Sequence, residues 1–205
     1  MIDIKYESNS DIFPSRIESE RIIYKKFEYG IIDVKELYDK FSNVSVEDTR
    51  YVTFTPYESR IEVKEYIDHC INQFKNGESV SYFMFLKDSD EFIGTTGFEP
   101  SWNKSIAESG VFLFREYWGN GYSSERGNVM VELAFEEYDF DYWISKCHPD
   151  NTGSIKAIEK YVVDNGGKRV GILPNWGKGI KSTNGYDDLL YFKLSKENYL
   201  DNNLP

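Results

Sequence analysis

Between Val111 and Tyr138 the sequence changes its hydrophobic period abruptly. Val111-Phe112-Leu113-Phe114 is a β-rich apolar run, whereas Val129, Met130, Leu133, Ala134 and Tyr138 recur at helical spacing. The intervening Glu116-Tyr117-Trp118-Gly119-Asn120-Gly121-Tyr122-Ser123-Ser124-Glu125 is therefore a turn from a strand into a helix. Two glycines one residue apart open backbone conformations closed to other residues and allow close approach of a ligand. The helix then begins on small polar Ser123 and Ser124, which leave its first N–H groups unscreened, and such a start binds anions, phosphate above all. A lone Gly-x-Gly is a weak signal. A dinucleotide fingerprint needs a third glycine where Ser124 stands, and Gly177-Lys178-Gly179 does not supply a P-loop.

The 205 residues are 40% hydrophobic, enough for one domain with a sizeable core. Aromatic residues make up 17%, with 16 Tyr and 14 Phe, so many rings are expected to pack together or line a cleft. With 24 Lys+Arg against 35 Asp+Glu the net charge is −11, which argues against nucleic-acid binding and suits cationic partners, amines included, or simple solubility. The charged start of the chain has no apolar signal segment, and no apolar run is long enough to span a bilayer, so a cytoplasmic protein with no membrane partner is expected. Cys70 and Cys147 then read as reduced thiols. A zinc site built from them with His69 and His148 is disfavoured, because adjacent residues point different ways, and no metal is expected.

Residues 1–17 read as a loose leader, followed by a strand over 21–27. Asp33 caps a helix to about Phe41, and Ser59 begins a second one carrying Ile61, Val63, Tyr66, Ile67, Cys70, Ile71 and Phe74. A hairpin turns at Asp88-Ser89-Asp90, another turn falls at Asn103-Lys104, and 106–114 forms the third strand of a meander. The glycine turn, a helix to about Tyr138, a strand over 142–147 and a helix from Pro149-Asp150-Asn151 to about Val163 follow. Strands over 168–173 and 185–194 close the chain, and the Leu173–Gly179 loop with Trp176 is a candidate lid or acceptor wall. One α/β domain is expected, with a mixed, mostly antiparallel sheet of about six to seven strands and helices on both faces. The sheet should splay where the third meander strand and the Tyr142 strand part. Its exposed edges allow a homodimer.

Three segments in order carry a resemblance. Ile17-Glu18-Ser19-Glu20-Arg21-Ile22-Ile23-Tyr24, Trp118 to Ser123, and Asn151-Thr152-Gly153-Ser154 leading into Glu159-Lys160 together resemble the GNAT N-acetyltransferases, and within them the Rim-type ribosomal-protein N-acetyltransferases. Trp118 and Ser123 depart from the usual Gln/Arg and Gly/Ala of the acetyl-CoA signature, and Arg115 stands where many relatives have proline. The resemblance implies acetyl-CoA as cosubstrate, with Phe112, Leu113, Phe114, Trp118, Gly119, Asn120, Gly121, Tyr122, Ser123, Ser124, Asn151 and Lys160 binding it. Main-chain N–H groups would solvate its pyrophosphate without a metal, the strand edge at 112–114 would pair its pantetheine amides, and the N–H near Leu113 would polarise the thioester.

The resemblance further implies that Ser154 protonates the departing thiolate. Ile158 occupies the position where many relatives place a tyrosine, and Tyr161 lies on the same face one turn later. Glu108 is the candidate base, ahead of Asp187 and Asp188. Asn151 is a candidate helix cap and a candidate cofactor or substrate contact, and the two roles are compatible. The implied acceptor is a primary amine: a peptide N-terminus, a polyamine or an aminoglycoside-like molecule. The competing class is a non-catalytic acyl-CoA-binding regulatory module, which would keep the phosphate turn and lack a working acid and base.

Overall fold

Caps and turn residues fix the elements locally before any packing is considered. In the computed structural model, which describes residues 13–52, 54–100, 105–178 and 185–203, Asp33 accepts from the N–H groups of Lys35 and Glu36 and starts helix α1, Val34–Ser42. Ser59 accepts from the Glu62 N–H and starts α2, Arg60–Lys75. The hairpin between strands β3 (Val80–Leu86) and β4 (Phe92–Pro100) turns at Asp90, whose φ is 52° and whose N–H donates to Leu86 O. The expected Asn103-Lys104 turn lies outside the described residues.

The chain divides into two compact units, 3–97 with 110–117 and 98–109 with 118–205. In the first unit β1 (Arg16–Glu18) pairs antiparallel with β2 (Ile22–Lys26), and β2 with β3. Part of the expected leader is thus built in, since Phe13 and Ile17 are buried and Arg16–Glu18 is strand. Strand β6 (Val111–Leu113) pairs with β4 through Gly94↔Leu113, Thr95↔Phe112 and Thr96↔Val111. An aromatic cluster forms here: Phe41 of α1 meets Phe54, Tyr57, Phe92, Phe112 and Phe114 at centroid distances of 5.3–6.5 Å. Burying a ring such as Phe41 contributes about 1.5–3 kcal/mol.

In the second unit β5 (Ile106–Glu108) pairs antiparallel with the end of β4 and parallel with β7 (Tyr142–Cys147). Strand β9 (Tyr186–Ser195) pairs with β7 and with β8 (Lys168–Lys178). The hydrogen-bonded order is β1-β2-β3-β4-β5-β7-β9-β8, with β6 also on β4: nine strands among the described residues, mostly antiparallel. The excess over the sequence expectation has two sources, β1 and the break of the 106–114 strand at Ser109-Gly110. β5 and β6 keep one register against β4, but at the break Gly110 O accepts from both the Gly97 N–H (3.1 Å) and the Thr96 hydroxyl (2.8 Å). β8 overruns the expected loop. Residues as far as Lys178 pair with β9 across two register shifts, and Asp188 Oδ1 accepts the Asn175 N–H at 3.0 Å in the second, so the proposed lid is strand as far as Lys178, while Gly179 is not described.

Helix α3 (Tyr122–Glu132) continues into a π-helical turn over Leu133–Glu137, and α4 (Thr152–Ile158) into another over Glu159–Val163. A final helix α5, Lys196–Asn203, follows β9 and packs Tyr199 against Phe135 at 5.2 Å.

Candidate active site

In the second unit the glycine turn is exposed from Trp118 to Gly121. Gly119 and Gly121 have φ of 79° and 82°, left-handed values that a Cβ would strain. Gly121 is the N-cap of α3 and has no side chain to satisfy the helix start. Its carbonyl takes the N–H groups of Ser124 and Glu125 at 3.1 and 3.0 Å. Among the described residues the N–H groups of Gly119, Gly121 and Ser123 donate to no protein acceptor. These donors lie at the positive end of a helix dipole, an arrangement that can receive an anion through main chain alone. Asn120 turns its Nδ2 back onto Trp118 O at 3.2 Å.

A buried polar chain fixes α3 behind this seat. Arg126, 1% exposed, donates to Ser109 Oγ of the β5 end and lies 5.7 Å from the centre of the Tyr161 ring. The Tyr161 hydroxyl is 3.1 Å from Ser145 Oγ, which accepts from Trp143 Nε1 at 2.8 Å. Burial pushes the Tyr161 phenol up. Tyr161, placed by sequence on the face of Ile158, is thus enclosed and serves packing. Arg126, Ser109 and Ser145 had no sequence signal, because only the tertiary contact between α3, α4 and β7 makes them a group.

Asn151 is the cap of α4: its Oδ1 accepts the Ser154 N–H at 3.1 Å, and its carbonyl accepts from Ile155 at 3.0 Å. Ser154 is half-buried in the first turn, and its hydroxyl makes no hydrogen bond among the described residues. Lys160 is exposed on the π-helical turn.

Strand alternation sorts the rest of the second unit's sheet into two faces. Phe98, Ala107, Ser109, Trp143 and Ser145 share one, where Phe98 and Trp143 meet at 6.1 Å. On the other a polar row crosses four strands: Glu99 on β4 opposite Glu108 on β5, then Lys146 on β7 opposite Tyr191 on β9. Lys146 Nζ is 2.7 Å from Glu108 Oε1. Burial pushes the Glu99 carboxyl up, the Glu108 carboxylate pushes it the same way, and Lys146 opposes both.

In the first unit Phe114 N–H donates to Ile93 O at 3.1 Å, which sets the pattern of the β4–β6 ladder. Phe112 and Phe114 spend their peptide groups on β4 and their rings on the aromatic cluster, so of the three strand candidates only Leu113 directs its peptide groups away from β4. Gly94 permits the close ladder, since a Cβ there would meet Phe112 O at 2.1 Å. A groove of about 670 Å³ beside α1 is lined by charges of both signs, paired as Arg115 with Asp48 and Lys40 with Glu116.

Among the described residues no three His, Cys, Asp or Glu side chains gather in a metal-binding group, and no helix is long and apolar enough to cross a membrane.

Residues 21–161 match the family model described as an acetyltransferase (GNAT) domain. The uncharacterized N-acetyltransferase p20 of Bacillus licheniformis is 27% identical over 182 residues, covering 88% of this chain and 96% of that protein. An acetyltransferase of the GNAT family from Bacillus anthracis superposes with a TM-score of 0.71 at 20% identity, covering 89% of this chain and 99% of that one. RimL, the ribosomal L7/L12 α-N-protein acetyltransferase in complex with coenzyme A, superposes at 0.68 and 18% identity, covering 86% and 95%. The chain therefore belongs to the GNAT family of acetyltransferases and is an acetyl-CoA-dependent enzyme.

Proposed function

We propose that the protein acetylates a primary amine, a peptide N-terminus or a small cationic molecule such as a polyamine or aminoglycoside, by direct attack of the amine on the thioester of acetyl-CoA. The observation that carries this reading is the set of unpaired main-chain donors at Gly119, Gly121 and Ser123, which matches the needs of a diphosphate without a metal. Trp118, Asn120, Tyr122, Ser124, Asn151 and Lys160 belong to the same reading as coenzyme contacts, and the outward peptide groups of Leu113 as partners of the pantetheine arm.

Ser154 is assigned the proton that the leaving thiolate takes up. Its hydroxyl has no competing hydrogen bond, and the cap it completes uses its N–H. Glu108 is assigned to proton removal, because an amine with a pKa of about 10.4 is an ammonium at neutral pH and cannot attack until it loses a proton. The net charge of −11 favours cationic acceptors. The structural neighbours include both RimL and a spermidine N-acetyltransferase chimera from Vibrio cholerae and hSSAT, so both acceptor classes remain within the reading. Work in the cytoplasm and a homodimer through the terminal strand β8, which exposes Val170, Ile172 and Trp176, complete it.

The test is thiol release from acetyl-CoA with a panel of amines and N-terminal peptides, with the acetylated product identified by mass. Transfer to at least one amine is expected. Coenzyme binding with no transfer to any member would overturn the assignment.

A further inference from the structure

The glycine turn carries an Asn-Gly pair, Asn120-Gly121. Asn-Gly is the dipeptide most open to attack by the backbone on its own side chain, because glycine places no Cβ in the way of the nitrogen that follows the asparagine. The attack also needs that nitrogen to give up its proton, so an amide already donating to a carbonyl is held back. Four such pairs occur in the chain, and Asn184 of the last lies outside the described residues. At Asn76-Gly77 the glycine N–H donates to Phe74 O at 3.0 Å, and at Asn165-Gly166 it donates to Val163 O at 3.0 Å. Asn165 is held by its side chain as well, since its Nδ2 lies 3.1 Å from both Asn128 Oδ1 and Tyr161 O. Gly121 differs: its N–H donates to no protein acceptor among the described residues, and both members of the pair are exposed.

We infer that Asn120 is a site of spontaneous deamidation, with the uncommitted Gly121 amide as the nucleophile. In the step the Gly121 nitrogen loses its proton and bonds to the side-chain carbonyl carbon of Asn120. The bond from that carbon to the side-chain nitrogen breaks, and the nitrogen leaves as ammonia, taking up the proton. One water then opens the five-membered imide at either carbonyl and leaves aspartate or isoaspartate at position 120, with one added negative charge on ionisation. No oxidant or reductant enters. The Asn120 side chain, whose Nδ2 lies 3.2 Å from Trp118 O, must rotate away from that contact for the ring to close. The consequence for the coenzyme rests on the reading given above. A carboxylate at position 120 repels a diphosphate from the neighbouring amides, the isoaspartyl form lengthens the backbone and turns the Gly121 N–H aside, and a bound diphosphate, by engaging that N–H, slows the conversion.

The experiment incubates the whole protein in warm, mildly alkaline buffer, with and without coenzyme A, and follows each Asn-Gly pair by peptide mapping and mass spectrometry. Circular dichroism at each time point checks that the fold persists. Asn120 is expected to convert faster than Asn76 and Asn165, and coenzyme A to slow the conversion at Asn120. Calorimetry is expected to find the affinity for coenzyme A about tenfold weaker in the converted protein, as in the Asn120→Asp variant. Asn120→Gln, which closes an imide ring far more slowly, is expected to keep its own starting affinity through the same incubation. Conversion at Asn120 no faster than at Asn76 and Asn165 overturns the inference and leaves the reading of the turn as a diphosphate seat untouched. Conversion at Asn120 that coenzyme A does not slow, with coenzyme affinity unchanged in the product and in Asn120→Asp, upholds the inference and removes that reading.

Discussion

Gly127 of α3 lies flat against the ring of Tyr161: a Cβ at position 127 would sit 2.1 Å from Tyr161 Cδ1. The glycine lets the two helices approach closely enough for Arg126, its neighbour, to reach across to Tyr161 while bonding Ser109. Gly127→Ala is therefore expected to cost about 1–3 kcal/mol through overpacking, read as a lower denaturation midpoint in urea. An unchanged midpoint would mean that the helices slide apart without penalty.

The proposed diphosphate seat predicts a loss of binding with little loss of fold. Gly119→Ala and Gly121→Ala each force a side chain into the left-handed region, where the backbone conformation costs about 1–2 kcal/mol, and at Gly119 nothing crowds the new Cβ. If the turn relaxes instead, its N–H groups lose their aim, so calorimetry with coenzyme A is expected to give an affinity about tenfold weaker. Circular dichroism should be unaltered.

Asn151 and Ser154 share a cap but should separate in their effects. Asn151→Ala removes the acceptor of the Ser154 N–H and is expected to cost about 1 kcal/mol of stability. Ser154→Ala keeps that bond. It is expected to leave stability within experimental scatter while kcat falls by about two orders of magnitude, as loss of a general acid does.

Burial pushes the Glu132 carboxyl up from its ordinary 4.5 to about 7, with the Glu136 carboxylate adding to it. A native state that holds the proton more tightly than the unfolded chain is favoured fully below about 4.5 and loses that contribution as pH climbs through about 7. Because the side chain is half-exposed, solvent screening limits the change to about 1 kcal/mol. Glu132→Gln should flatten the dependence of melting temperature on pH across this window. A slope equal to wild type would exclude the effect.

What could be read from the sequence follows how local its causes are. Asp33, Ser59 and Asn151 each announce a helix because the capping oxygen acts on N–H groups two or three residues on, and all three helices begin there. The glycine turn into α3 was equally legible, since two glycines and two serines determine it within a single turn. Arg126 was not: in sequence it is an ordinary helical cation, and its enclosure comes from tertiary neighbours, Tyr161 and Ser109 among them. β8 was cut short for a similar reason. Pro174 and Gly177 signal a loop, yet Gly177↔Asp187 and Lys178↔Tyr186 hold the strand together. Polar α5 buries only Tyr199, too little apolar periodicity to mark it.

A receptor for phosphate made of peptide groups is acid–base inert. Lysine or histidine in its place would gain and lose charge with the medium, whereas the amides of Gly119, Gly121 and Ser123 present the same dipoles in acid and in alkali. If these amides hold the coenzyme as proposed, capture of the donor responds to how much coenzyme is present and not to proton concentration, whereas the acceptor amine must lose a proton before it attacks and so follows pH.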